Sequence, residues 1–140
     1  ALLFAADRIE HFRKKVEPAL ESGKHVVSDR YLYSSLCYQP VFSDRKFIET
    51  VNAKAPFADV CFVLEIAVDT GLERISSAER GGELFEKRDI LNKVAENYEQ
   101  LEERYPSANI IYIDGAQTIE EIHKQVICEM RELFDIEVEG

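Results

Sequence analysis

Glycine and proline are scarce in this 140-residue chain, six and four respectively, which excludes collagen-like and low-complexity classes. Cysteine is scarce too. Cys37, Cys61 and Cys128 form an odd, widely spaced set, which fits a reducing compartment better than a disulfide scaffold. Positive charge is in deficit: 17 Lys and Arg stand against 27 Asp and Glu, for a net charge of −10. That balance argues against a nucleic-acid coat or a basic membrane-surface protein. It leaves small phosphate ligands open, since these need only a few arginines in one pocket. The apolar run Val60 to Leu64 stops at Glu65, and no run is long enough to span a bilayer. No basic stretch followed by an apolar one marks a signal peptide. His11, His25 and His123 share no ligand spacing with any cysteine, so zinc is not expected. No G-x-S-x-G or Cys–His pattern points to a hydrolase.

What remains is globular: 46% hydrophobic and 31% charged residues over one domain's length, 1–140. Leu2, Leu3, Ala6, Ile9, Phe12, Val16 and Leu20 recur at helical spacing and predict an amphipathic helix ending near Gly23. Arg13-Lys14-Lys15 reads as its solvated face. Lys24 to Asp29 reads as a short buried strand. Arg30 to Tyr38 is a short helical stretch stopped by Pro40, and Ser43 a candidate N-cap for a helix to about Lys54. Val60 to Ile66 is expected to be a strand buried on both faces. Asp69 then caps a helix carrying Leu72 and Ile75 inward. Ser76 to Gly82 reads as a mobile loop, and a helix from about Asp89 to Arg104 carries Leu91, Val94, Tyr98 and Leu101. Asn109 to Asp114 is a further strand, followed by a helix opened by Thr118 with Glu121 in a capping box. The tail Glu137 to Gly140 is expected to fray. Strands alternating with helices predict an α/β fold with a parallel sheet.

In open α/β sheets, ligands bind beyond the carboxyl ends of the strands, which directs attention to Asp29-Arg30, Glu65 to Asp69, and Asp114 to Gln117. A carboxylate such as Asp29 can hold a metal ion through water, and Arg30 can grip a phosphate bidentately. A buried ion pair, or a helix cap at Asp29, is the competing reading.

The series Leu2-Leu3-Phe4-Ala5-Ala6-Asp7-Arg8, Ser28-Asp29-Arg30-Tyr31, Ser34-Ser35 and Tyr38-Gln39 resembles the thymidylate kinase family. The likeness continues through Asp59, Val60 to Ile66, Gly71-Leu72-Glu73-Arg74-Ile75, Phe85-Glu86, Tyr98 and Ile113-Asp114-Gly115-Ala116-Gln117. It implies that Phe4 stacks on thymine and Arg8 bonds a base carbonyl. It further implies that Arg30 holds the phosphate of dTMP, with Ser35, Tyr38 and Gln39 closing the base and sugar pocket. Spacing agrees, since Phe4 and Arg8 lie one helical turn apart. A core position for Phe4, and a surface pairing of Arg8 with Asp7 or Glu10, are the alternatives. Tyr31 and Tyr33 read as packing residues.

By the same resemblance, residues 76–88 form a lid over ATP, and Arg80 or Arg88 stabilises the transferring group. Arg74 and Gln117 lie on the ATP side; an ion pair of Arg74 with Glu73 or Asp69, and an ordinary turn at Asp114 to Gln117, compete. Two departures stand out: Leu84 where a basic residue often precedes the aromatic–Glu pair, and Glu65 where Asp is usual. The implied activity is transfer of the ATP γ-phosphoryl group to dTMP with Mg²⁺, by a cytoplasmic homodimer without nucleic-acid or membrane partners. Asp29 and Arg30 would stand with Arg80 as catalytic residues.

Kinases of this kind cradle phosphates in G-x-x-x-x-G-K-[ST], and no such motif occurs in the 140 residues. The chain opens at Ala1 already in a helical pattern. The expectation is therefore a three-layer P-loop kinase fold lacking its N-terminal strand–P-loop–helix–strand unit, inactive alone and part of a longer protein. Two rivals remain: another nucleoside monophosphate or deoxynucleoside kinase, and a non-catalytic nucleotide-binding module.

Overall fold

A computed structural model describes residues 1–75 and 81–135, with all their side chains except those of 74, 75 and 81–86. Helix α1 (Leu2–His11) passes through a π-helical segment, Phe12–Val16, into α2 (Glu17–Glu21). Gly23 ends it with φ +79°. The Gly23 and Lys24 amides donate to the Leu20 and Ala19 carbonyls at 2.9 and 3.0 Å, the pairing of a left-handed glycine terminator. The inward stripe differs from the predicted one. Ala5 is the buried residue of α1, while Leu3 is 86% exposed.

Residues 24–29 do not form the predicted strand, and Val27 is 93% exposed. A strand needs a neighbour to take its backbone hydrogen bonds, and none of the described strands pairs with this segment. Propensity alone cannot make a β-ladder.

Helix α3 (Leu32–Tyr38), a 3₁₀ turn at Gln39–Val41 and α4 (Arg45–Asn52) follow. The cap of α4 is Asp44 rather than Ser43; its carboxylate accepts from the Phe47 amide at 2.8 Å. Strands β1 (Cys61–Glu65) and β2 (Ile110–Asp114) pair in parallel from Cys61↔Ile110 to Glu65↔Asp114. Between them lie α5 (Val68–Ile75), α6 (Gly81–Glu99) and α7 (Leu101–Arg104). A parallel pair joined through helices is the predicted α/β arrangement. β1 is less buried than expected: Val63 is in the core but Leu64 is half exposed.

Asp69 lies inside the first turn of α5 instead of capping it, and α6 begins at Gly81 rather than near Asp89. The expected lid, 76–88, is therefore helical over 81–88, while residues 76–80 lie outside the described residues. The final helix, α8 (Ile119–Phe134), matches its sequence signal: Thr118 and Glu121 form the reciprocal capping box.

Helix α3 organises the core because three of its faces carry different duties. Tyr33 and Cys37, four apart, pack with Val63, Val94, Leu101 and Ala108. Leu32 and Leu36 pack against Ile48 of α4. The remaining face, Ser34, Ser35 and Tyr38, is left for a cavity. Among the described residues no helix is long and apolar enough to cross a membrane.

Candidate functional site

Two segments close around one cavity of about 410 Å³. Phe4, Asp7, Arg8 and His11 of α1 form one wall, at the 3–4-residue spacing that stacks side chains along a helix. Ser28, Arg30 and Tyr31 enter from the connection before α3. Ser34, Ser35 and Tyr38 of α3, with Gln39, complete the lining.

All six residues singled out for substrate binding, Phe4, Arg8, Arg30, Ser35, Tyr38 and Gln39, meet here. Phe4 is 65% exposed. Among the described residues its ring is open to a planar ligand. Arg8 is not paired along α1 either; Glu10 bonds Lys14 instead. The Arg8 guanidinium donates from Nη1 to Asn52 Oδ1 and from Nη2 to Ser35 Oγ. It also lies 5.8 Å from the Tyr31 ring centroid, within cation–π range. Burial pulls its pKa down, while Tyr31 and Asp7 oppose the shift. Arginine remains protonated at neutral pH despite such a shift.

Ser35 Oγ accepts from both Arg8 and Gln39 Nε2, the latter at 3.3 Å. Its own proton is left to donate. With Nε2 of Gln39 turned to Ser35, Oε1 is buried and has no partner among the described residues. The Tyr31 hydroxyl is in the same condition. Buried acceptors and donors without partners are costly, and both belong to residues of this cavity wall.

Arg30 sits in the left-handed region at φ 64°, a conformation that costs a non-glycine residue about 1–3 kcal/mol and clusters at functional sites. The Ser28 hydroxyl donates to the Arg30 carbonyl at 2.7 Å, and the guanidinium lies 5.5 Å from the Tyr38 ring centroid. Tyr38 in turn meets Tyr98 edge-on, at 6.4 Å and 84°. Two arginines thus face one cavity in a chain whose net charge is −10.

The other predicted residues are elsewhere. Asp29 is exposed and outside the cavity lining, and the strand it was to end does not form. Arg88 bonds Asp69 on the surface through Nε, at 2.8 Å, and Nη2. That hydrogen bond, and then the charge of Asp69, raise its pKa. Gln117, beyond β2, accepts from Gln125 at 3.0 Å and does not line the cavity. Beside it, Gly115 bonds Glu65 O at 2.6 Å, and a Cβ there would stand 2.9 Å from that oxygen. Arg80 lies outside the described residues, as do the side chains of Arg74, Ile75, Phe85 and Glu86 and the tail 136–140. For magnesium, no group of three or more metal-capable His, Cys, Asp or Glu occurs among the described residues.

The sequence reading missed Asn52, which bonds Arg8 from 44 residues away, and passed over Asp7, His11 and Ser34. It assigned Tyr31 to packing, whereas the ring lies beside Arg8 in the cavity wall. The spacing of Asp7, Arg8 and His11 on one helix was the available signal for two of these.

A sequence profile of the family described as thymidylate kinase matches residues 1–126. The "Probable thymidylate kinase" of Thermococcus kodakarensis is 39% identical over 96% of this chain and 65% of its own length. That of Methanocaldococcus jannaschii is 43% identical over 91% of this chain and 64% of its own length. That of Pyrobaculum aerophilum is 38% identical over 90% and 64%. The chain therefore spans just under two-thirds of the length of these relatives.

Proposed function

Because the chain belongs to the thymidylate kinase family, we propose that the full-length protein transfers the γ-phosphoryl group of ATP to dTMP, giving ADP and dTDP. The observation that carries this reading is the convergence of Phe4, Arg8, Arg30, Ser35, Tyr38 and Gln39 on one cavity. Its volume of about 410 Å³ falls in the range of small-ligand sites, roughly 300–1,000 Å³.

The donor and acceptor pattern favours thymine. The base offers O4 as an acceptor and N3–H as a donor. Arg8 can donate to the first, and Gln39, whose buried Oε1 has no partner among the described residues, can turn that oxygen into the cavity to accept from the second. Cytosine would set its amino group against the guanidinium and its bare N3 against Oε1, leaving donor facing donor and acceptor facing acceptor. Phe4 supplies the stacking face. Arg30, aligned over Tyr38, holds the phosphate as a bidentate fork.

Catalysis in this reading is positioning and charge stabilisation without a covalent intermediate. Arg30 and Arg80 carry positive charge to the transferring group, and Asp29, adjacent to Arg30 in the chain, acts with them. Arg74, Arg88 and Gln117 are assigned to the ATP side. Magnesium would travel with ATP, bridging its phosphates. The same reading includes a cytoplasmic homodimer acting on free nucleotides.

Chromatographic detection of the nucleoside diphosphate formed, dTDP from dTMP or dCDP from dCMP, by the full-length protein with ATP tests it. The expected result is turnover of dTMP with dCMP strongly disfavoured. Binding of dTMP without turnover would instead indicate a nucleotide-binding module, and a preference for dCMP would indicate another monophosphate kinase.

A further inference from the structure

Asn52 is 2% exposed and ends α4, 44 residues along the chain from Arg8. A buried amide needs partners for both its donor and its acceptor. The Nδ2 group donates to the Ile48 carbonyl at 2.8 Å. A carbonyl takes only a donor, so this bond fixes which way the amide points, and Oδ1 is turned to Arg8 Nη1. Ser35 holds Nη2, and the Tyr31 ring lies beside the guanidinium. Each Nη keeps one further N–H, and Nε keeps its own, for other partners. Both hydrogen-bond partners are neutral, so neither spends the positive charge of Arg8 on an ion pair. Asn52 itself does not line the cavity; whatever it does for a ligand, it does through Arg8.

We propose that Asn52 is a positioning residue for nucleobase recognition: its neutral oxygen locks the Arg8 guanidinium in the orientation that reads the base. The inference rests on the dTMP reading above. Arginine carries large rotamer freedom, and a guanidinium free to swing must be ordered when the base binds. Asn52 and Ser35 impose that order beforehand, which is how preorganisation raises affinity.

The test is a double-mutant cycle in the full-length protein, with kcat and KM measured for dTMP and ATP. Asn52→Leu keeps the approximate volume and removes the acceptor. It is expected to raise the KM for dTMP about tenfold, the scale of one hydrogen bond to a charged group. The kcat and the KM for ATP should stay within about twofold of wild type, as uniform binding loss requires. With Arg8→Ala already present, Asn52→Leu should add nothing to the KM for dTMP, because its effect passes through the guanidinium. Asn52→Ala is the second variant and should behave alike. An unchanged KM for dTMP, a parallel rise in the KM for ATP, or an equal rise in the Arg8→Ala background overturns the proposal. Failure of both variants to give folded protein by thermal melting also overturns it, since Asn52 would then hold the fold rather than Arg8. A wild-type protein that neither binds nor phosphorylates dTMP overturns the parent reading as well. Normal wild-type turnover with an indifferent Asn52→Leu overturns this proposal alone.

Discussion

Arg8 Nη1 and Asn52 Oδ1 form a hydrogen bond between residues 44 apart in the chain, joining the first helix to α4 behind the cavity wall that Arg8 lines. The bond explains why Arg8 is placed in the cavity wall rather than spread over the surface of α1. It also ties base recognition to the packing of α4, whose Ile48 is fully buried against α3.

The first consequence concerns Arg8 itself. Arg8→Ala should weaken dTMP binding by about 1.5–3 kcal/mol, the range for a hydrogen bond to a charged group, and leave ATP binding unchanged. Isothermal titration of the full-length protein with each nucleotide checks this. Equal losses for both nucleotides, or none for either, would remove Arg8 from the base site.

Much of this was legible in the sequence, and what was not has physical reasons. The Thr118–Glu121 box and the Gly23 terminator are local devices, encoded within a few residues, and both appear where expected. The strands expected within Val60 to Ile66 and Asn109 to Asp114 form as Cys61–Glu65 and Ile110–Asp114, in the expected parallel sense. Residues 24–29 failed as a strand because β structure depends on partners that propensity does not supply. The start of α6 was placed too late because Gly81 and Gly82 read as loop, yet the helix begins there. At the site, the contact residues were visible as ordered motifs, whereas Asn52 was hidden: its role exists only once α1 and α4 meet.

A second prediction decides between Arg80 and Arg88, the two candidates for the lid arginine. Arg88 is held by Asp69 on the surface, so Arg88→Ala should leave kcat close to wild type. Arg80→Ala should lower kcat by about 10²–10³-fold, as loss of one transition-state charge contact does. Steady-state kinetics of the two variants decides between them; the reverse pattern transfers the role to Arg88.

Thiol reactivity gives a third. Burial pushes the Cys37 thiol up to about 12 and the Cys61 thiol up to about 11, so both stay protonated and unreactive at neutral pH. Cys128 is exposed on α8. Of these three thiols, a chromogenic disulfide reagent should therefore reach only Cys128 in the native state and all three after unfolding in denaturant. Rapid reaction of three thiols in native protein would contradict the packing of α3 against β1.

The capping box gives a pH-dependent stability. Hydrogen bonds from the Thr118 backbone and side chain lower the pKa of Glu121 in the folded state. A carboxylate with a depressed folded pKa stabilises above its ordinary range, and that contribution is lost as pH falls through the folded value. The Tm difference between wild type and Glu121→Ala should thus be full near neutral pH and shrink as acid protonates the carboxylate. Thr118→Ala, which removes the cap itself, should cost about 0.5–2 kcal/mol at neutral pH. A Glu121→Ala difference that grows in acid would reverse the sign of this argument.

The most direct measurement is a crystal structure of the full-length protein with dTMP bound. The thymine ring should lie on Phe4, with Arg8 donating to O4, Gln39 Oε1 accepting from N3–H, and the phosphate on Arg30. A dTMP molecule seated elsewhere, with Arg8 still bonded to Asn52 and Ser35 beside an empty cavity, would show that these residues pack together without reading the base.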